Sequence, residues 1–370
     1  MKVPQLQPWL GSEEYAAIGE CFAQNWITEG PKARQFQEGL LVLTGARYGV
    51  FAPNGTLALY LALRALDISP GDEVIVPDFT FIGSANAVQM AGAKPVFCDV
   101  QPGDCQIDLA SAEKCLTDRT RGIMPVHIYG TACDMDAVVE FADRHKLLII
   151  EDAAQAVGVH YKGRHAGTFG AAGAFSFFAD KTITTAEGGF VVTNDSNTYK
   201  KLLYLRNQGR EERGTFIHPE IGYNFRMTDL QCAMGVVQLN KLGEIITRKQ
   251  QILARYRVLL RRCTQVRFFE PPEGAEWVPF RVPLFCERAH ELMTFLTDRE
   301  IESRTFFYPL HRQPAFLYLQ SDKNYPHSLQ DDHFSQTISA YNLGVCLPIF
   351  PALSEEQIQH VCAMIIEFYG

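Results

Sequence analysis

The chain has 370 residues, of which 47% are hydrophobic, 21% charged and 11% aromatic, the make-up of a globular protein with room for two domains or one large domain and an appendage. A net charge of −8 without long runs of either sign excludes the clustered Lys/Arg of a nucleic-acid or membrane-surface binder. No apolar stretch reaches the ~18 residues of a membrane span, and "MKVPQLQPWLGSEEY" lacks the apolar core of a secretory signal. Ten scattered cysteines without a C-x-x-C pair predict free thiols in a cytoplasmic protein, with neither a metal site nor a disulfide framework.

From Tyr48 to Asp195, short β-branched runs alternate with helical patterns. "YGVFA" predicts a strand and "GTLALYLALRALD" a helix; "DEVIVP" predicts a strand and "FIGSANAVQMAG" a helix closed by Gly92. "KPVFCDV", helical "SAEKCLTD", "RGIMPVHIYG", helical "MDAVVEFADRHK" and the strand "LLIIEDAA" follow. Strands that are apolar throughout, each followed by a helix, indicate an α/β fold with a mainly parallel sheet covered on both faces. "AAGAFSFF" and "GGFVVTN" read as two more strands of that sheet. The stretch from Met227 to Cys263 keeps helical spacing for many turns and predicts one long bridging helix. The remainder mixes strands ("VPFRVPLF", "IESRTFFY") with helices ("HELMTFLTDR", "SEEQIQHVCAMIIEFY"), a smaller α+β domain. Residues 1–240, with the N-terminal segment, are expected to form the large domain and 241–370 the small one.

Open parallel sheets bind ligands beyond the carboxyl ends of their strands, and four features fall on that edge. Gly55-Thr56 opens a helix after a strand, which is either a simple turn or a phosphate cradle of free N–H groups at a positive helix end. Glu151 and Asp152 end a buried strand, where an acid must be paired, hydrogen-bonded or solvated; the alternatives are an N-cap or salt-bridged strand end and a carboxylate held against a cationic ring nitrogen. In "FSFFADKTITTAEGGFVVTND", Lys181 is either a surface lysine or an amine that forms an imine with an aldehyde cofactor, with Ser176 adding a hydroxyl to a phosphate. In "PDFTFIGS", Phe81 either stacks on a cofactor ring or joins the core.

Order and placement together resemble the DegT/DnrJ/StrS family of pyridoxal-phosphate-dependent sugar aminotransferases, which have the aspartate-aminotransferase (type I) fold. The resemblance runs through "NWITEGPKARQFQ", "NGTLALYLAL", "GDEVIVPDFTFIGSANAVQMAGAKPVFCDV", "TRGIMPVHIYG", "IIEDAAQAVG", "FSFFADKTITTAEGGFVVTND", "GYNFRMTDLQCAMGVVQL" and "IESRTFFYPLH". The "KTITT" segment is most similar to the GDP-perosamine synthase branch, which aminates a 4-keto-6-deoxy sugar nucleotide at C4.

The resemblance implies that Lys181 is the imine-forming lysine and proton carrier; a related dehydratase subgroup has His there, so Lys points to transamination. It implies that Asp152 holds the pyridinium proton, that Gln155 lies near the phenolic oxygen, and that Gly55, Thr56 and Ser176 contact the phosphate. Phe81 would stack on the ring, and Asn224 in "GYNFRM" would reach the phosphate of a neighbouring subunit in a homodimer, with Arg226 ordering that loop. Ala186 departs from the Gly usual before Glu187, and Ala179-Asp180 from a common Gly-Asn. His127 reads as a hydrogen-bonded residue of the sheet. His311 is a candidate for the sugar or diphosphate, with plain loop structure as its alternative. Arg304 and Arg312 are diphosphate candidates by chemistry.

The implied activity is transfer of an amino group from L-glutamate to a nucleotide-linked keto sugar, with pyridoxamine phosphate as the intermediate cofactor form. The rivals are amination at C3 of a dTDP-sugar or of a keto-inositol, and a cofactor-binding regulatory protein without turnover.

Overall fold

The computed structural model describes residues 1–210 and 216–370. Its main sheet comprises β1 (Tyr48–Ala52), β2 (Glu73–Pro77), β3 (Lys94–Cys98), β4 (Thr120–Ile123), β5 (Leu148–Asp152), β6 (Ala172–Ser176) and β7 (Gly189–Thr193). These seven strands lie in the order β1-β7-β6-β5-β4-β2-β3. Its helices in chain order are α1 (Ser12–Ala23), α2 (Pro31–Thr44), α3 (Gly55–Ala65), α4 (Gly83–Met90), α5 (Leu109–Glu113), α6 (Met135–His145), α7 (Ser196–Arg206) and α8 (Asp229–Asn240). Every residue of β2 and β6 is buried, as strands covered on both faces require. Two apolar cores, one centred on Phe51, Ile123 and Phe175 and the other on Leu61, Val76 and Ile150, sandwich the sheet.

One strand runs against the rest. β7 pairs antiparallel with both β1 and β6, because the chain leaves β6 and turns back at once through residues 177–188. Backbone bonds from Phe177 N to Gly188 O and from Thr185 N to Phe177 O close the base of this loop, so Lys181 is held at the carboxyl edge of β6. β7 also lies close under the start of α3. A Cβ on Gly189 would stand 2.3 Å from the Asn54 carbonyl oxygen, so only glycine allows that approach. Ala186, where the family pattern leads one to expect Gly, has φ +66, a left-handed conformation that costs a residue bearing Cβ about 1–2 kcal/mol. Its N–H donates to Thr184 Oγ1 at 3.0 Å, and Thr185 Oγ1 donates to Glu187 O at 2.8 Å, bonds that hold the turn in place.

The expected long helix is two. α8 ends at Asn240, and α9 (Leu242–Leu260) begins after Lys241, whose φ −85 and ψ −7 interrupt the helix for one residue. Lys241 Nζ is drawn to Glu13 and Glu14 of α1, at 2.7 and 2.9 Å.

The C-terminal unit has an antiparallel sheet of β8 (Val266–Phe268), β9 (Val282–Cys286), β10 (Arg304–Thr305) and β11 (Gly344–Leu347), in the order β8-β9-β11-β10. It is covered by α9, α10 (Ala289–Thr297), α11 (Ser335–Leu343) and α12 (Glu355–Tyr369). Its core recruits Val3, and Gln5 Nε2 donates to the carbonyls of Cys346 and Leu347 at 3.2 and 3.1 Å. The first residues therefore pack on the small unit and not on the large one expected from their place in the chain. In the opposite direction, Leu310, Phe316 and Phe334 pack into the core of the large unit.

Candidate active site

Beyond the carboxyl ends of the main strands lies a cavity of ≈ 1020 Å³, large enough for a cofactor and a second substrate together. Gly55, Thr56, Phe81 and Asp152 line it, as do Gln155, Ser176, Lys181 and Arg304.

One end of the cavity is built for an anion. Asn54 caps α3 by accepting from Leu57 N at 3.0 Å, while the first-turn N–H groups of Gly55 and Thr56 remain at the positive helix end. A Cβ at position 55 would stand 2.8 Å from Ser176 Cβ and 3.1 Å from Ser176 Oγ. The space between helix and serine therefore exists only because residue 55 is glycine. Two hydroxyls and free backbone donors around that space are the chemistry of a phosphate cradle.

The opposite charge stands at the end of β5. Asp152, only 6% exposed, accepts from Ser84 Oγ at 2.7 Å and from Ala154 N at 3.1 Å. Ser84, in the first turn of α4, was not singled out in the sequence; β5 and α4 meet only in the fold, 68 residues apart. Gln155 Oε1 accepts from the backbone N–H of Tyr129 at 2.7 Å and so stabilises a residue held at φ +54. Phe81 is 59% exposed, its ring against Phe307 with centroids 6.5 Å apart. An aromatic ring left open on a cavity wall is available to a planar ligand.

Lys181 Nζ sits 4.7 Å from the centre of the Phe280 ring and 3.9 Å from Asp180 Oδ1. Burial pulls its ammonium below the usual lysine range, with Asp180 and Asp152 opposing and Arg281 adding to the fall. A lysine more easily deprotonated than usual, beside an anion cradle and a fixed carboxylate, fits an aldehyde cofactor that carries a phosphate and a basic ring nitrogen.

Three nominated residues stand apart from this cavity. His311, 1% exposed, contacts Asp78 Oδ2 through Nδ1 at 2.6 Å and Asp331 Oδ1 through Nε2 at 3.1 Å. Its ring stacks on Phe334. Arg312 is tied to the same Asp331. These two candidates, for the first of which plain loop structure was the alternative, form an ion-paired knot that fastens the 310–334 segment onto the large unit. Asn224 is exposed and accepts from Arg226 Nε at 2.8 Å, away from the cavity of its own chain. His127 behaves as expected: Nδ1 accepts from Cys133 N at 3.2 Å, which leaves Nε2–H to donate to Glu151 at 3.0 Å.

A model of the DegT/DnrJ/EryC1/StrS aminotransferase family matches residues 8–366. GDP-perosamine synthase of Escherichia coli O157:H7 is 39% identical over 370 residues, covering 100% of this chain and 99% of that protein. GDP-perosamine synthase of Vibrio cholerae is 34% identical, with coverage of 100% and 99%. The crystal structure of DesV from S. venezuelae superposes with a TM-score of 0.93 at 33% identity, covering 100% of this chain and 98% of that one.

The His311 knot yields a pH dependence. Burial alone would lower the His311 pKa, but hydrogen bonds and charges from Asp78 and Asp331 outweigh it and raise the value above 6.5. A raised folded-state pKa stabilises fully below the unfolded value and loses its contribution as pH climbs through the folded value. His311→Gln should therefore destabilise by about 3 kcal/mol near pH 6, where it leaves the buried Asp78 carboxylate without its cationic partner, and by clearly less near pH 9. Thermal midpoints of both proteins across that range check this; a pH-independent gap would show that the charge on His311 contributes nothing.

Proposed function

The chain belongs to the DegT/DnrJ/EryC1/StrS aminotransferase family, whose cofactor is pyridoxal phosphate, and from that premise we propose that it moves an amino group from L-glutamate to C4 of a GDP-linked 4-keto-6-deoxy sugar. That it is a sugar aminotransferase follows from the family and its relatives. The choice of C4 and GDP is supported by the two GDP-perosamine synthases that match it from end to end. The observation that carries the catalytic reading is one cavity lined by Lys181, Asp152, Ser176 and the start of α3.

Pyridoxal phosphate, when bound, supplies an aldehyde that takes up the amino group and a protonated ring that draws electrons from the reacting carbon. The chain's own residues do the rest. The α3 terminus, Thr56 and Ser176 bind the phosphate, and Phe81 covers the ring. Asp152 keeps a proton on the ring nitrogen, and Ser84 fixes the carboxylate that does so. Lys181 holds and moves, at Nζ, the proton that each half of an amino transfer shifts. Arg304, on the cavity wall, is the cation left to meet a diphosphate now that His311 and Arg312 are engaged elsewhere.

Two further assignments belong to this reading. The enzyme works as a homodimer in which Asn224 reaches the partner's phosphate. Support comes from its exposed position and from exposed apolar neighbours, Phe216 at 87% and Ile221 at 86%, the kind of surface a partner covers. It is cytoplasmic: all ten cysteines are free and nine are buried, which suits a reducing compartment.

Borohydride treatment with pyridoxal phosphate should add cofactor mass to the peptide containing Lys181, and Lys181→Ala should abolish the addition. Asp152→Asn should fold yet lose on the order of 10²-fold in turnover. Among GDP-, dTDP- and UDP-linked keto sugars offered with L-glutamate, a GDP-linked 4-keto-6-deoxy sugar should turn over fastest. Faster turnover of a 3-keto sugar would overturn the C4 assignment, and no turnover with any would favour the regulatory reading.

Lys181→Ala and Asn224→Ala, each impaired alone, should recover activity when mixed under subunit exchange. In a mixed dimer with Asn224 acting across the interface, one site carries both lesions and the other carries neither. Losing one charge-assisted phosphate contact costs about 1.5–3 kcal/mol, so limiting cofactor is required. Absence of recovery with exchange verified would place Asn224 in its own subunit's service.

A further inference from the structure

Behind Lys181 lies a charged cluster with no part in the chemistry described so far. Asp180 Oδ2 is gripped by Arg281 Nη2 at 2.5 Å, and Arg281 Nη1 donates in turn to Gln5 Oε1 at 3.3 Å. The Arg281 guanidinium and the Lys181 amine both pack on the Phe280 ring, at 4.4 and 4.7 Å from its centre. The other carboxylate oxygen, Asp180 Oδ1, is buried without a hydrogen-bond partner among the described residues. It faces Lys181 Nζ at 3.9 Å, just outside hydrogen-bond reach.

A buried carboxylate oxygen without a donor is costly, and so is an ammonium released into an aromatic-lined cavity. Each is the partner the other lacks. We propose that Asp180 is a positioning residue for Lys181: Arg281 clamps one carboxylate oxygen, and the free oxygen receives the lysine ammonium whenever that amine is not engaged with the cofactor. No bond is made or broken in this step; a small side-chain rotation closes an ion pair. The clamp keeps the carboxylate from swinging toward solvent, and the arginine charge limits how strongly the lysine is held as a cation. The sequence departure at position 180 gains a purpose here, since an amide in place of the acid would bring no charge to meet an ammonium.

The charges that face Lys181 are Asp180, Asp152, Arg281 and Lys249, with Glu187 and Arg304 on the walls of the same cavity. Lys249, buried in α9, is itself brought down to about 7, first by burial and then by Arg281. A void of ≈ 20 Å³ touches Asp180, Lys181 and Lys249, room for one water molecule. A water placed there would be the competing partner for the free oxygen of Asp180.

The proposal rests on Lys181 being the amine that engages the cofactor, and the test separates the two. Full-length protein freed of cofactor is pulsed with acetic anhydride across a pH series, and acetylation of the Lys181 peptide is followed by mass spectrometry. Only the neutral amine reacts, so the midpoint reports the charge on Lys181. Asp180→Asn should lower that midpoint by about 1–3 pH units, the usual effect of an opposite charge at this distance. Arg281→Gln should raise it, and the double variant should return toward the parent. If Asp180→Asn does not fold, Arg281→Gln decides alone. An unmoved midpoint in Asp180→Asn, or a fall in Arg281→Gln, overturns the proposal and leaves Asp180 to the water. Borohydride trapping on Lys181 would be untouched by that result, whereas a wrong lysine assignment would appear in the trapping alone.

Discussion

Two acids leave the end of β5 back to back, and the site depends on what each meets. Successive residues of a strand point to opposite faces. Glu151, fully buried, accepts from the N–H groups of Gly167 and Gly170, both at 2.6 Å, and from His127 at 3.0 Å. It thereby staples the turn that leads into β6. Asp152 points into the cavity, where Ser84 fixes it. Because β6 pairs with β5, carries Ser176 and runs straight into the loop of Lys181, one strand end sets both the cavity carboxylate and the approach of the serine and the lysine.

The antiparallel return of β7 completes the arrangement. Had the chain crossed over to another parallel strand after β6, a helix would have followed and the lysine would have been carried off the carboxyl edge. The tight loop instead keeps it there, at the cost of a left-handed Ala186. The close seat of Gly189 under Asn54 brings the start of α3 over the same edge, so the anion cradle and the amine share one cavity wall.

Much of this was legible in the sequence, for reasons that differ by element. Continuous apolar runs such as "EVIVP" and "LIIED" mark fully covered strands, and their order with intervening helices specifies the sheet. Gly55, Asp152, Ser176 and Lys181 each end or follow such a strand, which is why they meet. What escaped depends on contacts distant in sequence. Ser84 meets Asp152 across 68 residues and Arg281 meets Asp180 across 101. His311, a reasonable substrate candidate from its segment, is claimed by Asp78, 233 residues away. The single-residue break at Lys241 carries no Pro or Gly of its own, so helical spacing alone reads straight through it. Val3 joins a core built from the other end of the chain, which no local pattern announces.

In the proposed function, Lys181, Asp152 and the start of α3 hold one cofactor between them. A crystal structure of the protein grown with pyridoxal phosphate tests it directly. Density should run continuously from Lys181 Nζ into the cofactor, with its phosphate at Gly55-Thr56 and Ser176 and its ring nitrogen against the Asp152 carboxylate. A cofactor bound through another lysine, or with its phosphate elsewhere and Asp152 facing no ring nitrogen, would contradict it.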